Sequence, residues 1–257
     1  MRLTRKEEIE KYILDNGIVS LDKICEEFQI SKNTLRRDLE IIEKRGLIKK
    51  VYGGVKKNDD IEGNQIKNLL SHSDREVEMP EEKNRICKLA SQFVENGDII
   101  FIDTGTSIQY LLAYIAHLEN ITVITNSVIT LVQALEYPKL TVIGLPGILK
   151  IGTASLVGDS CIKYLKNYNM KKAFMSCTGI SELGVSNASL EEYEIKREVM
   201  KHSREKFLFV DSTKFGVDSL MIYSDIKEFN YVITDKLPSS YYLNIFNKYK
   251  IKLEIAQ

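Results

Sequence analysis

The side chains best equipped for chemistry near the start of the chain lie in SKNTLRRDLEIIEKRGLIKKVYGG, residues 31 to 54. Lys32, Asn33, Thr34, Arg36 and Arg37 crowd the first turns of a helical run, with Lys44 further along. Side chains of these types reach phosphate oxygens and base edges, and a forked guanidinium or amide tells one base from another. Leu35, Leu39 and Ile42 recur at i, i+4 and i+7 on the other face, and Ser31 stands where an N-cap belongs. An apolar back and a cationic front are what a helix needs to enter a DNA groove.

The elements around that helix must hold it. Ile9, Tyr12 and Ile13 mark a first helix closed by Asn16-Gly17, and Leu21, Ile24, Cys25 and Phe28 mark a second. Gln29-Ile30 is a tight link to the third, which gives the helix-turn-helix layout. After Gly46 the β-prone stretch 47–52 reads as a wing that presents Lys49, Lys50 and Tyr52 to DNA and stops at Gly53-Gly54. A three-helix bundle with a merely solvated charged face is the plainer alternative. Cap, stripe, turn and wing all agree with the DNA reading.

A second set of chemistry lies at strand ends. DIIFID (98–103), ITVITN (121–126), LTVIGL (140–145), KKAFMSC (171–177), KFLFVD (206–211), NYVITD (230–235) and IKLEI (251–255) read as strands. They alternate with helices such as SIQYLLAYIAHL and SVITLVQAL, which predicts an α/β domain on a largely parallel sheet. Asp103-Thr104-Gly105-Thr106-Ser107, Thr125-Asn126-Ser127 and Asp211-Ser212-Thr213-Lys214 follow three of these strands. Ligands bind at the carboxyl ends of such strands, where glycine admits the backbone and hydroxyls and free N–H groups meet an anion. Phosphate suits these loops, with Lys214 as counter-cation. Asp103 suits a sugar hydroxyl or a helix cap. Each loop alone is also an ordinary strand-to-helix turn.

Length and charge agree with two domains. We expect residues 1–57 as the winged helix, 58–80 as a linker that is partly helical around 66–70, and 81–257 as the α/β domain. Residues 1–57 hold 14 Lys and Arg against 10 Asp and Glu, a net of +4, and the rest is −4 because the whole chain balances at 36 and 36. A basic small domain beside an acidic large one fits a DNA reader joined to a domain that does not touch DNA. Cys25, Cys87, Cys161 and Cys177 are scattered and form no metal spacing with His72, His117 and His202, so reduced thiols and no metal or cofactor are expected. With no signal-like start and no membrane-length apolar run, the cytoplasm is the expected compartment.

Along nearly its whole length the chain resembles the DeoR family of bacterial transcriptional regulators. ISKNTLRRDLEIIEKRGLI followed by YGG is similar to that family's recognition helix and wing. EKNRI (82–86), GDIIFIDTGTS (97–107), TVITNS (122–127), KAFMSCTGI (172–180), EIKREVM (194–200) and DSTKFG (211–216) match its sensor domain in order. The resemblance implies a repressor with an N-terminal winged helix and a sensor domain of ribose-phosphate-isomerase fold that binds a phosphorylated sugar or related metabolite. It places the effector at Asp103, Gly105, Thr106, Ser107, Thr125, Asn126, Ser127 and Gly147, with Lys196 and Lys214 as cations. The chain departs from the family at Pro146-Gly147 (usually two glycines), at Lys171 (usually acidic) and at Ser176 (usually glycine).

Two other functions compete. A sugar-phosphate isomerase or deaminase would need a poised carboxylate and acid, and Asp103, Glu192 and Glu194 show no such pair by spacing. A redox sensor built on Cys177 lacks a resolving cysteine nearby. For a regulator, one helix-turn-helix reads half a site, so at least a dimer is expected, joined through the larger domain.

Overall fold

The computed structural model describes residues 5–43, 48–51, 54–57 and 79–257. The chain divides into two compact units, residues Met1–Leu69 and Leu70–Gln257. In the first, α1 (Arg5–Asn16), β1 (Ile18–Ser20), α2 (Leu21–Glu27), α3 (Lys32–Glu43), β2 (Ile48–Val51) and β3 (Gly54–Lys57) follow in order. Gly17 ends α1 at φ +73°, its N–H reaching the Ile13 carbonyl at 2.9 Å. Ile9, Ile13, Ile24, Leu35, Leu39 and Ile42 close the core with Val19, Ile48 and Val55 from the strands.

The wing is larger than the sequence suggests. Its strands pair antiparallel in the order β1-β3-β2, with Ile18 opposite Lys56 and Val51 opposite Gly54. Gly54 therefore opens a returning strand where a stop was expected. A Cβ there would sit 2.7 Å from the Val19 carbonyl oxygen, so glycine lets β3 pass close to β1. Lys44, Gly46, Tyr52, Gly53 and the helical segment expected at 66–70 fall outside the described residues.

The second unit opens with α4 (Pro80–Ser91), with Pro80 at the first helical position where a missing N–H costs nothing. Then come β4 (Ile99–Ile102), α5 (Leu111–Ile115), β5 (Thr122–Thr125), α6 (Val128–Ala134), β6 (Thr141–Gly144), β7 (Ile148–Lys150) and β8 (Ser155–Val157). They are followed by α7 (Asp159–Leu165), β9 (Met170–Ser176), β10 (Gly179–Ser181), β11 (Gly184–Asn187), α8 (Leu190–His202) and β12 (Ser203–Phe209). The unit closes with β13 (Met221–Ser224), β14 (Tyr231–Thr234), α9 (Ser240–Tyr249) and β15 (Lys252–Ile255).

All seven expected strands meet in one sheet, ordered β15-β14-β12-β9-β4-β5-β6 and parallel throughout. Alternate residues serve its two faces. Ile100, Ile102, Phe174, Phe207 and Phe209 pack under α4 and α5, while Phe101, Ala173, Met175 and Leu208 pack under α7, α8 and α9. Both faces are covered, which is why these strands read as unbroken apolar runs. The helix expected over 107–118 shortens to α5 because residues 106–110 and 116–117 form turns. The hairpin β7-β8 and the three-stranded antiparallel sheet β10-β11-β13 were not expected.

Candidate nucleic-acid interface and effector site

In the first unit, Ser20 caps α2 by accepting the Lys23 N–H at 3.2 Å, and Ser31 caps α3 by accepting the Thr34 N–H at 3.2 Å. Between them Gln29 takes φ +50° and the Ile30 N–H returns to the Cys25 carbonyl at 3.1 Å, so the two helices meet at a tight corner. Leu35, Leu39 and Ile42 are buried while Lys32, Asn33, Arg36 and Arg37 are exposed and Thr34 is half-buried. Asp38 also faces inward, where Arg5 of α1 holds it at 2.8 Å. Lys32 pairs with Asp22 of α2 at 2.5 Å, leaving the two arginines to lead the exposed front.

On the wing, Lys49 and Lys50 are both exposed. Lys50 is tied to Glu43, its Nζ 2.9 Å from one carboxylate oxygen and its N–H 3.2 Å from the other. Those bonds hold the Glu43 carboxyl below its ordinary value. The last residue of α3 thus steadies the wing.

In the second unit the expected effector residues gather at the carboxyl ends of the strands. Asp103 follows β4 and accepts the Ser176 N–H at 2.8 Å, the Ser176 hydroxyl at 2.6 Å and the Lys196 ammonium. Burial pushes the Asp103 carboxyl up, but Lys196 and Ser176 outweigh it and hold it below its ordinary value. Lys196 also donates to the Ser176 carbonyl at 3.1 Å and lies 5.2 Å from the Tyr223 ring centre, while the Tyr223 hydroxyl donates to the same carbonyl at 2.9 Å. Asp103 is therefore neither a helix cap nor an open acceptor. It anchors a buried ion pair.

A second cluster lies on Ser107. The Lys214 ammonium donates to its hydroxyl at 2.7 Å and pairs with Asp211 at 3.1 Å. Burial raises the Asp211 carboxyl, yet Lys214, Thr213 and the buried Lys83 of α4 bring it down to about 2. Thr106 is buried beside Ser107. In the next loop Thr125 donates to the Ile102 carbonyl at 2.7 Å, Asn126 to Leu156 at 3.1 Å, and Ser127 caps α6 through the Thr130 N–H at 3.1 Å. The Asn126 Oδ1 is buried without a hydrogen-bond partner among the described residues. Most of these polar side chains are already bonded to neighbouring strands and loops, so an anion arriving here would have to displace some of these bonds or use backbone N–H groups.

The three departures separate in space. A Cβ on Gly105 would run into the Ser176 side chain, so the serine fills the gap that Gly105 leaves and occupies Asp103. Gly147 packs against Val157 and Cys161, and the Pro146 carbonyl accepts the Cys161 thiol at 3.0 Å. Lys171 stands at the amino end of β9, paired with Asp98 at 2.7 Å and Glu95 at 3.0 Å. That is the opposite end of the sheet from the loops expected to hold the effector. Of the three, only Ser176 touches the Asp103 cluster.

Sequence reading left out several partners. Lys83 lay inside EKNRI without a role, and nothing local marks its approach to Asp211, 128 positions on. Glu192 accepts the Thr104 hydroxyl at 2.9 Å, and Glu194 is exposed. Burial pushes the Cys177 thiol up to about 11 and Cys87 to about 12, which removes the thiolate a redox sensor needs. A cleft of about 590 Å³ lies along the outer face of α8, with Tyr193, Arg197, Lys201 and Tyr223 among its walls.

The DeoR-like helix-turn-helix domain matches residues 5–60, and the DeoR C terminal sensor domain matches residues 78–236. The chain belongs to the DeoR family. It is 37% identical to the HTH-type transcriptional regulator IolR of Bacillus subtilis, over all of both chains. The lactose phosphotransferase system repressor of Staphylococcus epidermidis is 31% identical over 90% of this chain and 91% of its own. The HTH-type transcriptional repressor GlcR of Bacillus subtilis is 28% identical over 96% and 93%. On these matches the DeoR-family chain is a DNA-binding transcriptional repressor and not an enzyme. A solved ribose-5-phosphate isomerase covers 53% of this chain and 54% of its own at 14% identity and a TM-score of 0.40, too low to argue from. Among the described residues no helix is long and apolar enough to cross a membrane.

The Asp211 cluster has a measurable consequence. A carboxyl held at about 2 against an ordinary 3.8 stabilises the fold above pH 4, and that contribution fades as pH falls through 2. The shift corresponds to about 2 kcal/mol. Urea unfolding from pH 5 to pH 2 should show wild type losing its margin over Asp211→Asn across that window. A margin that does not change with pH would mean that Lys214 and Lys83 do not act on Asp211.

Proposed function

We propose that the chain represses genes of sugar metabolism and that a phosphorylated sugar releases it from its operator. The proposed division is a DNA reader at 1–57, a linker at 58–80 and an effector-binding, oligomerising domain at 81–257. The reader uses Arg36 and Arg37 for base edges, with Lys32, Asn33, Thr34, Lys49, Lys50 and Tyr52 on phosphates and flanking positions. Two such readers are needed for a two-fold operator, so the working form is at least a dimer.

The observation that carries the effector half is Lys214 on Ser107, with Lys83 nearby, at the carboxyl end of a parallel sheet. A dianionic phosphate meeting that cluster gains two ammonium groups and the hydroxyls of Thr106 and Ser107. The name of the staphylococcal relative, a lactose phosphotransferase system repressor, supports a sugar-linked effector. By binding one domain arrangement better than another, the effector shifts the chain away from DNA.

Calorimetry against pentose and hexose phosphates, with inorganic phosphate as reference, tests this alongside operator release followed by fluorescence anisotropy. Lys214→Ala and Thr106→Ala should hold DNA as wild type does. Each should demand roughly tenfold or more effector for release, as expected for one lost charge-assisted or hydroxyl contact. If no sugar phosphate binds, or if Lys214→Ala responds as wild type, the reading fails.

A further inference from the structure

The cleft along α8 belongs to none of the strand-end loops. It encloses about 590 Å³, within the roughly 300–1,000 Å³ of small-molecule sites. Tyr193, Arg197 and Lys201, at i, i+4 and i+8, share one face of α8 and line it together. Lys206 of β12 and Tyr223 of β13 line it as well, with Asp225 and Glu228 from the turn that follows.

Its charges are only partly matched from within. Lys201 pairs with Glu198 at 3.0 Å, and Asp225 with Lys227 at 2.7 Å. Arg197 donates to the Tyr193 hydroxyl at 2.9 Å and lies 5.5 Å from that ring centre, with no carboxylate in ion-pair range among the described residues. Its guanidinium keeps further N–H donors for a ligand. Lys206 is half-buried, and its ammonium also has no carboxylate partner among the described residues. Asn230 fixes the Lys206 backbone from both sides, accepting its N–H at 2.8 Å and donating to its carbonyl at 2.9 Å. The register places Lys206 beside Ala173, on the sheet face that α8 covers. Two cations thus stand over one carboxylate without an ion-pair partner, Glu228, in a cleft that water enters freely. That arrangement favours an oxyanion whose body also carries hydroxyl donors.

We propose that this cleft is a second ligand site. It takes a small metabolite with its phosphate or carboxylate at Arg197 and Lys206 and its hydroxyls toward Glu228. The proposal goes beyond the effector reading and stands whether or not the strand-end loops bind anything. An occupant rests on Tyr223 and on α8. Tyr223 donates to the Ser176 carbonyl, and α8 carries Lys196 to Asp103, so filling the cleft acts directly on the partners of the buried ion pair.

Calorimetry on the full chain with inorganic phosphate, citrate and a hexose 6-phosphate tests this. Arg197→Ala with Lys206→Ala removes both cations from the cleft, whereas Lys214→Ala removes the one on Ser107. The double variant should hold the cleft's anion roughly tenfold or more weakly, while Lys214→Ala retains that binding. Glu228→Gln should tighten inorganic phosphate and narrow the preference for the hexose phosphate over it, a readout independent of how well the double variant folds. Where both sites bind, each variant loses one of two binding events. Binding lost only with Lys214→Ala overturns the cleft and keeps the effector reading, and binding lost only with the double variant does the reverse. If none of the three probes binds at millimolar concentration, or Glu228→Gln changes neither affinity, the cleft is not a ligand site.

Discussion

Arg36→Ala combined with Arg37→Ala is expected to abolish sequence preference and to weaken operator binding by at least about 30-fold, taking about 1–3 kcal/mol for each base-reading arginine. Both side chains are exposed on α3, and the face that packs the helix belongs to Leu35, Leu39 and Ile42, so the variant should fold normally. Lys49→Ala, by contrast, should weaken every DNA sequence alike and reduce the slope of affinity against salt by about one charge. Binding to fragments of the chain's own promoter region across a salt series separates the two effects. Wild-type affinity in the double arginine variant would mean that α3 does not enter the groove.

The second large effect should come from the buried pair of Asp103 and Lys196. Lys196→Met leaves a carboxylate in the interior with only Ser176 to answer it. Removing one partner of such a pair costs about 3–5 kcal/mol. For a unit of this size that is a fall in Tm of roughly 6–20 °C. Adding Asp103→Asn removes the stranded charge and should recover part of the loss. A Lys196→Met protein that melts within a degree or two of wild type would show that the pair contributes little in solution. Operator binding at low temperature, where both forms are folded, reports whether the pair also matters to the DNA-bound arrangement.

The parts that were legible in the sequence share one property: their burial is written in local periodicity. The inner strands of the parallel sheet are covered on both faces, so IIFI, TVIT and FLF appear as apolar runs, and α3 shows its stripe because one face alone is buried. The parts that were not legible depend on distant partners. Strand β1 is three residues long and exists because β3 pairs with it, and Gly54 looks like a terminator until Val19 is seen beside it. The strands of the β10-β11-β13 sheet are three or four residues each, too short for a pattern. The polar loops at the strand ends could be read from residue type, but not the bonds that occupy them. Nothing in TNS tells that Thr125 is bound to Ile102 of β4, Asn126 to Leu156 of β8 and Ser127 to the first turn of α6.

The order of the large sheet has a consequence for a chain still being made. Its middle strand, β9, begins only at Met170, and β12 beside it is complete at Phe209. The DNA reader has its own apolar centre, whose described residues run from Ile9 to Val55. At bacterial synthesis rates the interval between the two is on the order of ten seconds. For that time the ribosome carries a finished reader attached to an unfinished sensor, able to touch DNA and unable to answer a metabolite. Needing two copies for firm operator binding would keep such nascent chains from silencing their target.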